Sequence, residues 1–304
     1  MVLSRVVSIF LLIVIGFLTA SRKIISSSGI RTISDLVLYV TLPFTIITGF
    51  DRSIPFSIVG DLLLVVVYAI GVHLLGIGVS AVAYRRMPDE KRKILSYITV
   101  FSNCGFMGFP IAESVFGKIG LMYASMYVMV FNIFIWTWGI ALFSREGERS
   151  GLADRWRRVL LNPGTIAVSI GFAIWVLPFQ IPQTFWYPMQ LIANATTPLS
   201  MIVVGATLAV QGVKGLLRGT EVWIGAGIRL ILIPLLVWAV FFVLSLRGGA
   251  ASIAGLLASM PAAAQSVVFA ERFDADVSLA SRIVFITTVL SAITVPIAAM
   301  VFPG

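Results

Sequence analysis

Three amide side chains stand out as groups able to hold a carboxylate. Asn103 lies in the stretch Phe101-Ser102-Asn103-Cys104-Gly105-Phe106-Met107-Gly108-Phe109-Pro110. Gln265 ends the stretch Ala258-Ser259-Met260-Pro261-Ala262-Ala263-Ala264-Gln265, and Asn132 lies in the apolar run after the first stretch. Both stretches sit within apolar runs and hold residues that a helix resists. Proline removes a backbone donor and clashes with the preceding turn, and glycine is entropically costly. In hydrocarbon, interrupted backbone persists only where it lines a cavity or is buried in protein. Each stretch is therefore expected to be a broken helix, and the pair to make one binding site.

Half-helices starting near Gly108–Pro110 and near Pro261–Ala262 would present backbone N–H groups and positive dipole ends. Proline suits the first turn of such a helix. Two such ends can bind an anion without a formal charge, and dipoles worth roughly 0.3–2 kcal/mol each permit its release. Asn103 is expected to donate to the carboxylate; its alternative is a helix–helix hydrogen bond of about 0.6 kcal/mol. Gln265 and Asn132 are the second and third polar candidates, or else they brace the crossing. Gly105 and Gly108 serve backbone geometry. Cys104 is either a small packing residue or a pocket residue. Thr45, matched in the second half by Ser200, is either a ligand or a backbone-bonded hydroxyl.

Charges inside apolar spans are costly and mark functional hypotheses. Asp61 and Glu113 are the candidates for proton coupling, against a reading as solvated helix-end carboxylates. Arg229 either attracts anions or makes a structural pairing. His73, the sole histidine, suits a proton relay or a packed interior position. Twelve residues along one helix place it about 18 Å from Asp61, too far for direct pairing.

The 304 residues are 59% hydrophobic and only 12% charged, against about 25% in soluble domains. Mean hydropathy is +1.03. These values predict an all-α polytopic protein of the bilayer, with no soluble domain. Ten spans are predicted at 4–20, 34–50, 57–83, 94–115, 121–143, 163–180, 186–210, 221–245, 250–270 and 277–302. The fourth and ninth are the broken ones. The first lacks the context of a cleaved leader, because Ser21-Arg22-Lys23 follows at once.

The net charge of +9 does not indicate nucleic acid, since Lys and Arg cluster in short loops on one side of the predicted spans. Only Arg5, Arg52, Lys118 and Arg247 fall on the other side. The bias makes the crowded side cytoplasmic and puts both termini outside, in a cell membrane. Residues 144–162 form a cytoplasmic linker between two five-span halves, 1–143 and 163–304. The halves share weak similarity: Thr41-Leu42-Pro43-Phe44-Thr45 parallels Thr196-Thr197-Pro198-Leu199-Ser200. An odd number of spans per half makes this an inverted repeat.

Asn103 through Gly108-Phe109-Pro110 resembles the Asn-x(4)-Gly-x-Pro motif of the auxin efflux carrier family. Ala258-Ser259-Met260-Pro261 with Phe269-Ala270, Arg229 with Pro234, and Val204-Gly205-Ala206-Thr207-Leu208 are similar to its ninth, eighth and seventh spans. The resemblance covers the whole chain in order. The short linker matches compact prokaryotic-type members and points away from auxin itself. Membership implies inverted five-helix repeats, crossed fourth and ninth helices as in bile-acid/sodium symporters, a homodimer, and transport of organic anions.

The expected function is secondary transport of small organic anions, auxin-like carboxylates or dicarboxylates, by alternating access of an elevator-like crossover unit. Phe106, Phe109 and Tyr127 would give it an apolar wall. Transport would be uniport or coupled to protons. A sodium-coupled symporter is the alternative, disfavoured because no acid precedes Gln265 in span nine. An anion channel or a non-transporting receptor is the alternative of another class. One His and one Cys, no phosphate-binding glycine loop and no nucleophile–base set point to no enzyme, metal or cofactor.

Overall fold

The computed structural model describes residues 2–50, 53–143, 152–177, 181–211, 218–273 and 275–303. The start of the expected linker, 144–151, and the basic positions Arg52 and Lys214 lie outside them. The described residues are helical and contain no strand; a single antiparallel bridge joins Ser102 to Ala262. Among the described residues six helices are long and apolar enough to cross a membrane: α2 (Ser27–Gly49), α3 (Phe56–Ala83), α5 (Gly108–Phe143), α8 (Gln183–Val210), α9 (Thr220–Val243) and α12 (Val277–Val301). Between them lie α1 (Val2–Ser21), α4 (Asp89–Val100), α6 (Leu152–Leu160), α7 (Pro163–Val176), α10 (Gly249–Ala258) and α11 (Gln265–Arg272).

Local chemistry accounts for several boundaries. Helix α2 starts seven residues before the expected span, because the Ser26 hydroxyl caps it by accepting from Gly29 N–H at 3.1 Å. π-helical turns occupy Val37–Thr41 and Ile228–Leu232, each just before a proline, Pro43 or Pro234. A proline cannot donate to the carbonyl four residues back and its ring pushes that carbonyl away, which the wider turn accommodates. Helix α5 breaks at Gly117, whose φ of +64° with ψ of −149° suits glycine alone. Beyond it the chain doubles back: a Cβ on Gly120 would lie 2.4 Å from the Ala112 carbonyl oxygen. In a straight helix those residues would be about 12 Å apart.

The helices pack as two groups. Helix α1 crosses α8, and α2 packs on α7. Glycines permit both contacts. A Cβ on Gly205 would lie 1.9 Å from the Ile13 carbonyl oxygen, and one on Gly16 would lie 2.2 Å from that of Ile202. At the second contact, a Cβ on Gly171 would lie 3.2 Å from Ile47 Cα. Thr45 ties α2 to α8, with its Oγ1 2.7 Å from Thr196 Oγ1 and donating to Thr41 O or Ala193 O at 3.0 and 3.1 Å. The other group joins α3 to α4, α5 and α10, and α12 to α4, α9 and α11.

Without an apolar driving force between helices in lipid, such close backbone approach carries much of their association. Gly205→Ala is expected to force α1 off α8 and cost about 1–3 kcal/mol, lowering the melting temperature of the purified protein. Gly78→Ala, where an added Cβ meets nothing within 4 Å, should leave melting unchanged or raise it slightly. Equal melting of the two variants would disprove the close-approach account.

Candidate functional site

Helix α4 ends at Val100, and Phe101 is extended (φ −101°, ψ 109°). Helix α10 ends at Ala258. The unwound segments that follow cross each other. Asn103 N–H donates to Pro261 O at 2.7 Å, and Ala263 N–H donates to Phe101 O at 3.1 Å. The Thr287 hydroxyl of α12 accepts from Ala262 N–H at 3.2 Å. Each break thus supplies partners for the backbone that the other leaves unpaired. Pro261 enters this exchange as an acceptor only, the one role its backbone retains. Gly108 is required by closeness, since a Cβ there would sit 2.8 Å from Leu257 Cδ2. No such crowding exists at Gly105.

Arg229 sits behind the crossing at 1% exposure. Its Nη1 donates to Thr99 O at 2.7 Å, its Nε to Met260 O at 3.1 Å, and its Nη2 to Ala258 O. One guanidinium therefore spans the carboxyl ends of α4 and α10. Those ends carry partial negative charge and unpaired carbonyls, so a cation is favourable there. Of the readings open for Arg229, the contacts are those of a structural pairing, made to carbonyls and not to an acid.

A cavity of about 730 Å³ lies beside the crossing, between the two helix groups. Asn103, Phe106, Ala264 and Gln265 line it from the crossing, and Asn132, Ile135 and Trp136 from α5. The facing wall is Val203, Val204, Thr207 and Leu208 of α8, with Leu38 and Tyr39 of α2. Ser27, Arg31, Asp35, Glu271 and Arg272 also border it.

The polar groups deep in this cavity are neutral. Among the described residues, the Asn103 and Gln265 side-chain amides have no protein hydrogen-bond partner. Asn132 Nδ2 donates to Asn162 Oδ1 at 3.3 Å, and that oxygen also caps α7 by accepting from Gly164 N–H at 2.9 Å. The two half-helix starts differ. At α5, Gly108 and Phe109 N–H donate to the Asn103 and Gly105 carbonyls at 3.0 and 3.3 Å, and Ile111 N–H to Met107 O. The expected open donors there are consumed, because the chain coils through a turn before the helix. At α11 the Ala264 and Gln265 N–H groups have no such bond among the described residues, so its first helical donor stays open where that of α5, Gly108 N–H, is paired.

Of the remaining sequence candidates, Cys104, Gly108, Pro110, Pro261 and Ala262 are buried behind the cavity wall, and Gly105 is half-buried off it. Thr45 lies in the α2–α8 contact, away from the cavity. Phe106 forms part of the wall, whereas Phe109 and Tyr127 are fully buried behind it. His73 is 1% exposed. Its Nδ1 is 2.7 Å from Ala69 O and its ring stacks on Phe134 at 4.8 Å, which places it in an aromatic interior. Asp61 accepts from the Tyr123 hydroxyl at 2.9 Å, and Glu113 is exposed. Neither reaches the cavity. The sequence did not single out Trp136, Thr207 or Thr288, all of which line it. Thr207 lies inside the segment similar to the family's seventh span, but nothing local marks its face. Among the described residues no group of three His, Cys, Asp or Glu could hold a metal.

Removing the guanidinium would leave buried carbonyls unpaired at both breaks. Arg229→Met is expected to cost about 3 kcal/mol or more and Arg229→Lys less, measured by thermal unfolding. Wild-type stability of Arg229→Met would show the clamp to be dispensable.

Comparison with known proteins shows the family. The sequence profile described as "Membrane transport protein" matches residues 1–299. An uncharacterized transporter of Methanothermobacter thermautotrophicus is 27% identical over 296 residues, 96% of this chain and 95% of its own. An uncharacterized transporter of Methanocaldococcus jannaschii is 23% identical over 300 residues, 95% of each chain. A Rhizobium meliloti protein, whose name proposes it as a malonate transporter, is 24% identical over 306 residues, 95% of this chain and 92% of its own. The chain therefore belongs to the membrane transport protein family, that of the auxin efflux carriers, and is an integral multi-pass membrane transporter.

Proposed function

We propose that this transporter carries small organic anions by alternating access, with the carboxylate held at the crossing of the two broken helices. The observation that carries this reading is the pair of unpartnered amides, Asn103 and Gln265, beside the open Ala264 and Gln265 N–H groups. Backbone and amide donors at a helix start suit a carboxylate. They hold it weakly enough for release, as a carrier requires. Phe106, Trp136 and Phe269 supply an apolar wall for the rest of the substrate. The malonate named for the Rhizobium meliloti relative is one small carboxylate to test.

The architecture behind this reading is ten spans in two inverted halves. The six long helices, α1, α7 and the two broken segments α4–α5 and α10–α11 supply them, with α5 beyond Gly117 counted as its own span. Paired contacts support the inversion: α1 on α8 is matched by α7 on α2, each through a glycine. The α1–α2–α7–α8 group would be the scaffold, in a homodimer. The crossing group, clamped by Arg229, would move against it as one body. The cavity borders on Arg31 and Arg272, on the side where basic residues crowd. That supports an inward-open state with both termini outside.

Substituting Asn103→Ala or Gln265→Ala should weaken carboxylate binding about tenfold and leave melting within about one degree, as loss of one charge-assisted hydrogen bond implies. A thermal-shift screen of carboxylates with proteoliposome flux measures both. Unchanged affinity in both variants would move the substrate elsewhere. Asp61→Asn tests coupling. Loss of pH-dependent flux assigns the proton to Asp61, and an unaltered profile removes Asp61 as the proton group.

A further inference from the structure

Helix α6 lies within the expected linker and leads into α7 through the Asn162 cap. It carries Arg155, Trp156, Arg157 and Arg158 against a single acid, Asp154. At 100° per residue, Trp156, Val159 and Leu160 fall on one face, and Asp154, Arg157 and Arg158 on the other. Val159 is buried at 2% exposure and fixes the helix to the protein body. Its apolar neighbours remain uncovered: Trp156 is 45% exposed, and Leu160 and Leu161 are each 60% exposed.

We propose that α6 is an interfacial helix whose cationic face docks on anionic lipid headgroups while Trp156 and Leu160 enter the acyl boundary. Two observations select lipid over a protein partner. The apolar face is narrow and continues directly into α7, an apolar helix, so it lies where α7 meets the surface of a bilayer. The opposite face carries arginines, which complement anionic headgroups, and tryptophan favours this depth. The docking also reaches the cavity. The Arg158 guanidinium lies 5.7 Å from the ring centroid of Trp136, and Trp136 lines the cavity wall. Lipid contact at α6 is thus one side chain away from the substrate space.

The test uses the full-length protein in nanodiscs and does not depend on substrate or flux, so its outcome is separable from the organic-anion reading. Nitroxide labels are placed by Leu160→Cys and, separately, by Arg157→Cys. The native Cys104 is fully buried and gives little background. In bilayers containing phosphatidylglycerol, the label at 160 should collide with oxygen more than with a water-soluble nickel chelate, and the label at 157 should show the reverse. Immersion of the label at 160 should rise with phosphatidylglycerol content and fall with salt. Arg157→Gln and Arg158→Gln should each weaken the immersion equilibrium about fivefold, the equivalent of about 1 kcal/mol per charge. Equal chelate access at both positions overturns the proposal, as does immersion indifferent to phosphatidylglycerol. Dipolar broadening between labels at 160 would assign the face to a second copy of the chain and would also overturn it.

Discussion

The structure depends on one constraint: backbone polar groups at membrane depth must find partners inside the protein. Two helices are broken in the protein interior, and every broken helix leaves carbonyls at one end and N–H groups at the other. The Ser102–Ala262 bridge pairs the unwound segments with each other. Arg229 takes the carbonyls at the ends of α4 and α10. A buried guanidinium is costly when alone. Here its five donors in a planar fork face a set of carbonyls that would themselves be costly to bury unpaired. The two costs cancel because they meet.

What the bridge and the clamp leave over is the candidate site. The turn before α5 pairs that helix's first donor, Gly108 N–H, but the first donor of α11, Gln265 N–H, stays open. The asymmetry places the open donors on one arm, beside Gln265, with Asn103 facing from the other. Donors without formal charge fit a carrier better than a fixed cation would. On the proposed reading the binding energy would be modest, and no buried charge would be stranded when the substrate leaves. The cavity lies between the group that holds the crossing and the group built on the α1–α8 and α2–α7 contacts. Relative motion of the two groups would change access without disturbing the clamp.

The glycines divide the work in a comparable way. Gly16, Gly171 and Gly205 let helices of one group touch backbone to backbone, and Gly108 lets the two broken arms do so. Gly117 and Gly120 reverse the chain after the first half-helix, so that α5 returns along the crossing group and brings Asn132 and Trp136 to the cavity. Packing tolerances of a few tenths of an ångström therefore set where the polar groups of the cavity stand.

Composition and hydropathy alone determined that this chain is a helical membrane protein. The misplaced prolines and glycines alone located both breaks, because such residues in an apolar run have few physical solutions. The motifs from Asn103 to Pro110 and from Ala258 to Pro261 sufficed to identify the family. Asn103, Gln265 and Asn132 were legible as cavity residues for the same reason, since an amide in an apolar span needs a polar neighbour or a ligand. Tertiary structure alone decided the partners. The carbonyls that surround Arg229 come from segments thirty and a hundred and thirty residues away, and no local pattern encodes that meeting. It also decided that Cys104 and Pro261 are buried while their near neighbours Asn103 and Gln265 line the cavity. Which side of an unwound segment faces a cavity depends on the segment that crosses it, and helical or strand periodicity cannot supply that direction.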